Sequence, residues 1–267
     1  MKRQIQRAIA ITKTLMVVYY AYMLEYRAEL LLWVLSGSLP LILMGVWVQA
    51  AQGGGNFGLS PLDFTRYFLA VFLVRQFTVV WVIWEFEREV VEGKLSFRLL
   101  QPFDPGWHHF ISHIAERFAR LPFALILIVL FFWLYPQSFW VPSLANALLC
   151  LLVVCLAFVL RFAAQYTFAM FSFWIERANA IESFWFLFYL FLSGLIAPVR
   201  IFPPLVQEIV KWTPFPYMID FPASILVGLP VNVGQGLAVM LVWIGLFLAL
   251  NRRLWRLGLK RYSGMGA

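Results

Sequence analysis

The chain has 267 residues, of which 63% are hydrophobic, 18% aromatic and only 13% charged, and its formal net charge is +8. A soluble domain carries about a quarter charged residues and less than half apolar ones, and a chain of this length has too little interior to bury so much apolar surface. The composition therefore excludes a soluble enzyme. It predicts an all-α integral membrane protein with one embedded domain, residues 1–267.

The N-terminal segment, residues 1–29, is predicted to hold an amphipathic helix that lies along the membrane interface. Apolar and uncharged residues recur there at spacings of four and three, while Lys2, Arg7 and Lys13 lie off that stripe. Such spacing puts the stripe on one helical face, as in interfacial helices. The stripe consists of Ile5, Ile9, Thr12, Met16, Tyr19 and Met23.

Six stretches are apolar and long enough to be membrane spans, each of which needs about 20 residues. They are residues 30–50, 67–84, 118–134, 144–173, 183–198 and 233–250. None carries an Asp or Glu in its middle, which argues against an ion-coupled secondary transporter and against an intramembrane aspartyl protease. The sequence thus predicts six transmembrane helices.

Basic residues are unevenly distributed between the loops. Residues 1–27 and 252–261 each contain five Lys or Arg, and the loop after span two adds four more. The loops after spans one and three contain one and none. Because basic loops remain in the cytoplasm, we expect both termini on the cytoplasmic side of the inner membrane.

The loop between spans two and three, residues 85–117, combines charge with apolar residues. A helix that continues span two is predicted to end at Gly93, and a second short helix, 95–100, to end before Pro102. A solvated hairpin would not expose so many apolar residues, so a docking surface for a cytoplasmic partner is favoured. The apolar residues are Leu95, Phe97, Leu99 and Leu100.

Residues 199–232, between spans five and six, are rich in proline and apolar residues and poor in charge. This composition predicts short re-entrant helices that dip partway into the outer leaflet.

Motifs for nucleotide or peptide hydrolysis are absent from the sequence, which has no G-x-x-x-x-G-K-S/T loop and no H-E-x-x-H. His108, His109 and His113 lack further ligands at metal-binding spacing, so interfacial histidines are favoured over a metal site. The chain is not predicted to be an enzyme, and no cofactor is assigned to it.

Two arginines are predicted to lie inside spans, where an isolated charge is costly. Contact with an anionic or zwitterionic substrate is one interpretation; an interhelical hydrogen bond or snorkelling is the other. The second is favoured for Arg161, while Arg75 stays open. Candidate residues of a translocation path are Arg75, Gln76, Phe188 and Phe191, although the aromatic residues of span five fit a lipid-facing or dimer-packing surface equally well.

Two loop sequences resemble those of six-span permease subunits of ABC-2 type exporters. The first is R-E-V-V-E-G-K-L-S-F-R-L-L-Q-P, where the matching residues are Arg88, Glu89, Glu92, Gly93, Leu95, Ser96, Leu99, Leu100 and Pro102. The second lies between spans five and six, where the matching residues are Ser193, Gly194, Pro198, Phe202, Pro203, Trp212, Pro214, Phe215, Tyr217 and Pro222.

The resemblance implies an exporter in which two permeases, identical or homologous, carry two ATPase subunits that bind ATP and Mg. It implies that residues 88–102 form a coupling helix seated in the ATPase and that residues 1–29 form an interface helix. Membrane lipid is a further expected partner, and nucleic acid is not. A hydrophobic or amphipathic substrate fits the aromatic spans. The alternatives are a non-transporting scaffold or assembly factor, and a channel, which is disfavoured because no span shows a polar stripe.

Overall fold

A computed structural model of the chain describes residues 2–55 and 57–262, with side chains described from residue 6 onward. The side chains of Lys2, Arg3 and Ile5 in the predicted interfacial helix therefore lie outside the described residues. The described residues form helices and turns and no strand, which confirms the all-helical class. The helices are α1 (Lys2–Glu25), α2 (Arg27–Ser36), α3 (Leu39–Gln52), α4 (Pro61–Thr78), α5 (Val82–Val91), α6 (Leu95–Leu99), α7 (Pro105–Leu134), α8 (Leu144–Ala169), α9 (Asn179–Leu192), α10 (Pro204–Val210), α11 (Asp220–Val227) and α12 (Val233–Arg261).

Five helical segments among the described residues are long and apolar enough to cross a membrane. They are α2 with α3, α4 with α5, α7, α8 with the turn that follows it, and α12. The chain is therefore a multi-pass membrane protein, and five of the six predicted spans correspond to these segments.

The fifth predicted span, 183–198, has different bounds in the structure. Its helix, α9, has 14 residues, which at 1.5 Å per residue is about 21 Å and shorter than a bilayer core of about 30 Å. The helix starts before Ser183 because Glu182 is buried and accepts a hydrogen bond from Gln165. It ends at Leu192 because Gly194 takes a left-handed conformation, with φ +89°.

Two other predicted boundaries also move. The interface helix ends at Glu25 rather than residue 29, because residues 27–29 already belong to α2. The predicted loop 85–117 ends early, because α7 begins at Pro105 after Asp104, whose side chain accepts a hydrogen bond from the Gly106 N–H at 2.8 Å. A capping carboxylate followed by proline is a strong helix start.

Most of α4 is buried at the centre of the molecule, where Phe64, Tyr67, Phe68 and Phe72 are inaccessible to solvent. It packs against α3, α7, α8 and α11.

The chain breaks between α4 and α5, at residues 79–81. The freed carbonyls of Phe77 and Val79 accept hydrogen bonds from the Arg117 guanidinium, and the Trp81 N–H donates to His113. Backbone groups at membrane depth need such partners, so α7 stabilises the break.

Residues 199–232 form the short helices α10 and α11, with single 3₁₀ turns at Val199–Ile201 and Pro216–Met218. The expectation of short helices in this region is confirmed. Their depth in the outer leaflet stays a prediction.

Candidate functional site

The α5–α6 hairpin, residues 82–102, reverses direction at Gly93. This glycine has φ +73°, the left-handed conformation expected from the sequence. Helix α6 covers Leu95–Leu99, one residue shorter than predicted. The hairpin is thus a rigid turn of helix–glycine–helix rather than an open loop.

Ionic contacts hold the hairpin against α7. Glu89 accepts from Arg98 at 3.1 Å and lies 3.3 Å from Nε2 of His109, whose Nδ1 lies 3.2 Å from Glu85. Burial alone would lower the pKa of the Arg98 guanidinium, but the Glu89 carboxylate and the Tyr19 hydroxyl together outweigh burial, and the pKa is raised. Arg98 therefore remains charged and fixes α6 onto α5.

Two residues of the loop sequence 88–102 contact the rest of the chain. Leu95 is fully buried among Phe86, Val90 and their neighbours, so it anchors α6 and is not part of the exposed face on which the docking prediction placed it. The Ser96 and Tyr262 hydroxyls lie 3.2 Å apart, which ties α6 to the end of α12.

The remaining face of α6 is apolar and exposed. Phe97 and Leu100 are 71% and 84% exposed, and Leu99 is 38% exposed. Exposed neighbours of this face are Arg88, Pro102, and the ion-paired Glu92 and Lys94. An apolar patch on a rigid, charged hairpin has the properties of a protein-binding surface.

Helix α1 packs beside the hairpin, along the first turns of α7. The Trp107 indole donates to the Thr12 hydroxyl at 3.1 Å, and the Tyr19 hydroxyl lies 3.1 Å from His108 Nδ1. A cleft of about 430 Å³ separates α1 from residues 102–107.

Four residues of the predicted stripe of α1, Thr12, Met16, Tyr19 and Met23, are half-buried in the structure. That this helix lies along the membrane interface stays a prediction. Ile9, also of the predicted stripe, is 62% exposed, as are Val17 and Val18 at 61% and 56%.

A buried polar cluster lies among the spanning helices. The Arg161 Nη1 donates to the Tyr189 hydroxyl at 2.7 Å, and its guanidinium carbon lies 4.2 Å from that ring. Gln165 donates to Glu182 at 2.7 Å. The Nη1 atom of Arg75 is buried and has no hydrogen-bond partner among the described residues.

Two buried acidic residues lie just before the predicted bounds of spans three and five, within the helices that contain those spans. Glu116 lies within α7 and forms an ion pair with Arg120 one turn later, and both are buried. Glu182 lies in the first turn of α9. Sequence reasoning placed both in flanking loops because a charge normally marks the end of a span.

The other predicted path residues have separate surroundings. Gln76 is buried and donates to the Val34 carbonyl at 3.4 Å, close to Gly37, where a Cβ would meet the amide at 2.7 Å. Phe188 and Phe191 are 41% and 53% exposed on the outer side of α9. The structure therefore does not bring these three side chains and Arg75 together into one pocket.

A groove of about 640 Å³ lies between α4, α7 and α8 and is lined almost entirely by apolar side chains. Arg75 is not among its lining residues. The groove and the buried polar cluster are separate features.

Between α9 and α11, the Tyr67 hydroxyl lies 2.7 Å from Asp220 Oδ1 and 2.9 Å from the Gly194 carbonyl. The Val199 N–H also donates to Asp220 Oδ1, at 3.1 Å. Burial raises the pKa of the Asp220 carboxyl above its ordinary value. A lone aspartate in an apolar, proline-rich stretch was the signal that sequence reasoning passed over.

Residues 60–266 match the family model described as "ABC-2 family transporter protein", which is more than half of the chain. No curated protein matches.

Proposed function

Since the chain belongs to the ABC-2 family of transporter proteins, we propose that it is the permease of an ATP-driven exporter. As a permease, it provides the membrane-spanning part of a transport complex. In this proposal, energy comes from a separate ATPase that binds ATP and Mg, because the sequence has no phosphate-binding loop of its own. The substrate passes from the cytoplasmic side outward.

The exposed apolar face of α6 is the observation that carries this proposal. It consists of Phe97, Leu99 and Leu100, and the ionic contacts of Glu89 hold it in one orientation. A preorganised patch loses little conformational entropy on binding. In the proposed complex the ATPase covers this face, and a movement of the ATPase is transmitted through α5 to the kinked α4.

The chain is proposed to lie in the inner membrane, with both termini on the cytoplasmic side. The contact of Ser96 with Tyr262 supports a common side for the hairpin and the end of α12, where Arg252 and Arg253 are exposed. Basic residues favour the cytoplasmic side.

The complex is proposed to hold two ATPase subunits and a second permease, identical or homologous. Exposed apolar residues on α2, α3 and α9 support this, because lipid or a second permease must cover them. Residues Arg75, Phe188 and Phe191 are proposed to border the translocation path. Gln76 belongs to the same proposal, although its amide is engaged by α2.

The proposal is tested by co-purifying the chain with a co-expressed ATPase subunit. Leu99→Asp places a charge in the α6 face and should abolish co-purification, while Leu205→Asp, at another exposed apolar position, should not. Gly93→Val forces a β-branched residue into a left-handed conformation at a cost of about 1–2 kcal/mol and should also abolish binding. If all variants retain the ATPase, the docking assignment is wrong.

Transport itself is measured in vesicles that contain the purified complex and ATP. ATP-dependent movement of an amphipathic dye across the membrane supports a permease. A complex that binds the ATPase but moves nothing, across a panel of anionic, neutral and cationic dyes, would instead indicate a scaffold or assembly factor.

A further inference from the structure

Four arginine side chains act on one another electrostatically among the spanning helices. Arg75 lies within electrostatic range of Arg120 and Arg161, and so does Arg117. The buried carboxylates beside them, among the residues that the structure describes, are Glu116 and Glu182, which leaves two guanidinium charges without a compensating carboxylate.

Two of the four arginines are engaged within the chain. Arg120 forms an ion pair with Glu116. Arg117 donates to the carbonyls of Phe77, Val79 and His113, and its guanidinium carbon lies 4.0 Å from the Phe158 ring. Arg120 keeps a buried Nε without a partner within the described part of the chain, but Glu116 compensates its charge. Carbonyl oxygens take three of the five N–H donors of Arg117.

Arg75 and Arg161 are different. Neither forms an ion pair in the part of the chain that the structure describes. The Glu182 charge acts on Arg161 but not through direct contact, and Arg75 keeps a buried Nη1 without any partner. Arg75 as a whole residue is only half-buried.

An uncompensated guanidinium at membrane depth is costly, and such residues mark the sites of substrates or ions. An anion placed there gains charge-assisted hydrogen bonds from two forked donors, which suits phosphate, sulfate or carboxylate groups.

The surroundings favour an amphiphile over a free anion. Arg75 and Arg161 belong to two of the segments that are long and apolar enough to cross a membrane, Pro61–Val91 and Leu144–Phe173. A ligand that reaches them at membrane depth is therefore surrounded by apolar groups, which suits a charged group that carries an apolar tail.

We propose that Arg75 and Arg161 bind the anionic headgroup of an amphipathic substrate whose apolar tail lies in the apolar surroundings of the spanning helices. This inference rests on the proposed transport function, because it names the substrate class for that path. Tyr189 is a positioning residue, since its hydroxyl and ring hold the Arg161 guanidinium.

The test is equilibrium binding to the purified chain in dodecyl maltoside, a neutral detergent, measured by native mass spectrometry. Dodecyl phosphate is the probe. Dodecanol has the same tail without the charge, and inorganic phosphate has the charge without the tail. We expect saturable binding of dodecyl phosphate and at least tenfold weaker binding of the other two. If dodecanol binds as tightly as dodecyl phosphate, the site does not recognise an anionic headgroup. If inorganic phosphate binds as tightly, the site does not require an apolar tail.

Variants assign the site to its residues. Arg75→Gln and Arg161→Gln should each weaken dodecyl phosphate binding at least tenfold, and Arg75→Lys should retain part of it. Arg66→Gln is the matched control on the same helix, because Arg66 instead donates to the carbonyls of Ser138 and Phe139. If Arg161→Gln does not fold, the two Arg75 variants still decide. Unchanged binding by Arg75→Gln would refute the proposal.

The assay contains no ATPase, which separates this inference from the proposed function. If ATPase docking or transport fails while charge-dependent binding is intact, the exporter proposal is refuted and the binding-site proposal stands. If the Arg75→Gln variant exports normally and binds dodecyl phosphate as the unsubstituted chain does, the binding-site proposal is refuted and the exporter proposal stands.

Discussion

Residues 95–102, the α6 part of the hairpin, and residues 214–225 are both short segments outside the long helices, but they bury their apolar residues to opposite extents. In the hairpin, Phe97 and Leu100 are largely exposed although ion pairs fix the backbone. In residues 214–225, Met218 and Ile219 are inaccessible to solvent, and a single buried carboxylate, that of Asp220, accepts the hydrogen bonds. One segment buries its apolar residues within the chain, and the other leaves them exposed, as the proposed docking of an ATPase would need. Substitutions should therefore damage folding in the second segment and association in the first.

The strongest test of this contrast is Gly194→Val, next to residues 214–225. A Cβ at Gly194 would lie 2.5 Å from the Tyr67 hydroxyl and 2.6 Å from Asp220, and the residue has φ +89°. Real Cβ atoms do not approach so closely, and a left-handed conformation costs a further amount of about 1–2 kcal/mol. We expect the loss of monodisperse protein on size-exclusion chromatography.

Gly58→Val is the matched control, because Gly58 has φ +66° and no atom lies within 4 Å of the position that a Cβ would occupy. It should retain folded protein. Equal damage by both variants would show that the conformation of Gly194 matters and its close packing does not.

The next largest effect is expected from Leu100→Asp in the hairpin, which should weaken binding of the ATPase without affecting stability. Burying one leucine side chain contributes about 1.5–3 kcal/mol, so ATPase affinity should fall by at least tenfold. Thermal stability of the isolated chain should stay within about 0.5 kcal/mol, as for exposed sites. Val141→Asp, at a position 77% exposed, is the control that should affect neither quantity. A large loss of stability would mean that α6 is part of the fold's interior.

A smaller effect is expected from Tyr67→Phe. The substitution removes the hydroxyl that contacts Asp220 and the Gly194 carbonyl, and leaving buried acceptors without a donor costs about 1–3 kcal/mol. The measurement is the midpoint of thermal unfolding in detergent. An unchanged midpoint would mean that water replaces the hydroxyl.

The pH dependence of the same contact has a definite sign. Burial raises the pKa of Asp220 in the folded protein, so the folded state binds its proton more tightly than the unfolded state. Its contribution to stability is present below the ordinary aspartate pKa of about 4 and is lost as the pH rises through the folded-state value. Asp220→Asn should flatten this part of the stability profile. A profile of the same slope in the variant would assign the titration to another group.

The smallest expected effect is that of Arg98→Ala on stability. Its ion pair with Glu89 is partly exposed, with side-chain exposures of 28% and 15%, and such pairs contribute about 1 kcal/mol or less. ATPase binding should weaken more than stability does, because α6 loses its fixed orientation. If Arg98→Ala lowers stability and ATPase binding by the same free energy, Arg98 stabilises the fold and has no separate role in association.

The sequence predicts the long apolar helices well because hydrophobicity alone specifies them. It also predicts Gly93, because few residues other than glycine adopt a left-handed conformation easily. The start of α9 was predicted too late, after Glu182. The sequence does not show that Gln165, on another helix, donates a hydrogen bond to Glu182 and so allows it to be buried. The burial of Leu95 likewise depends on tertiary packing.

The site shows the same limit. The loop sequence identifies the hairpin, but not that Glu89 and Ser96 serve to fix it to α7 and to Tyr262. Arg75 and Arg161 are recognisable as charges inside spans, whereas the proximity of Arg117 and Arg120 appears only when the helices are packed together.

The kink at residues 79–81 also bears on the order in which the protein is built. Its carbonyls at Phe77 and Val79 are satisfied by Arg117, which is synthesised about 40 residues later. Chains insert from the N-terminus onward as they are made, so α4 and α5 must wait for α7 before the kink has its partners. Until then a continuous helix satisfies these backbone groups better. We therefore expect the second span to acquire its final bend only after the third span has been inserted.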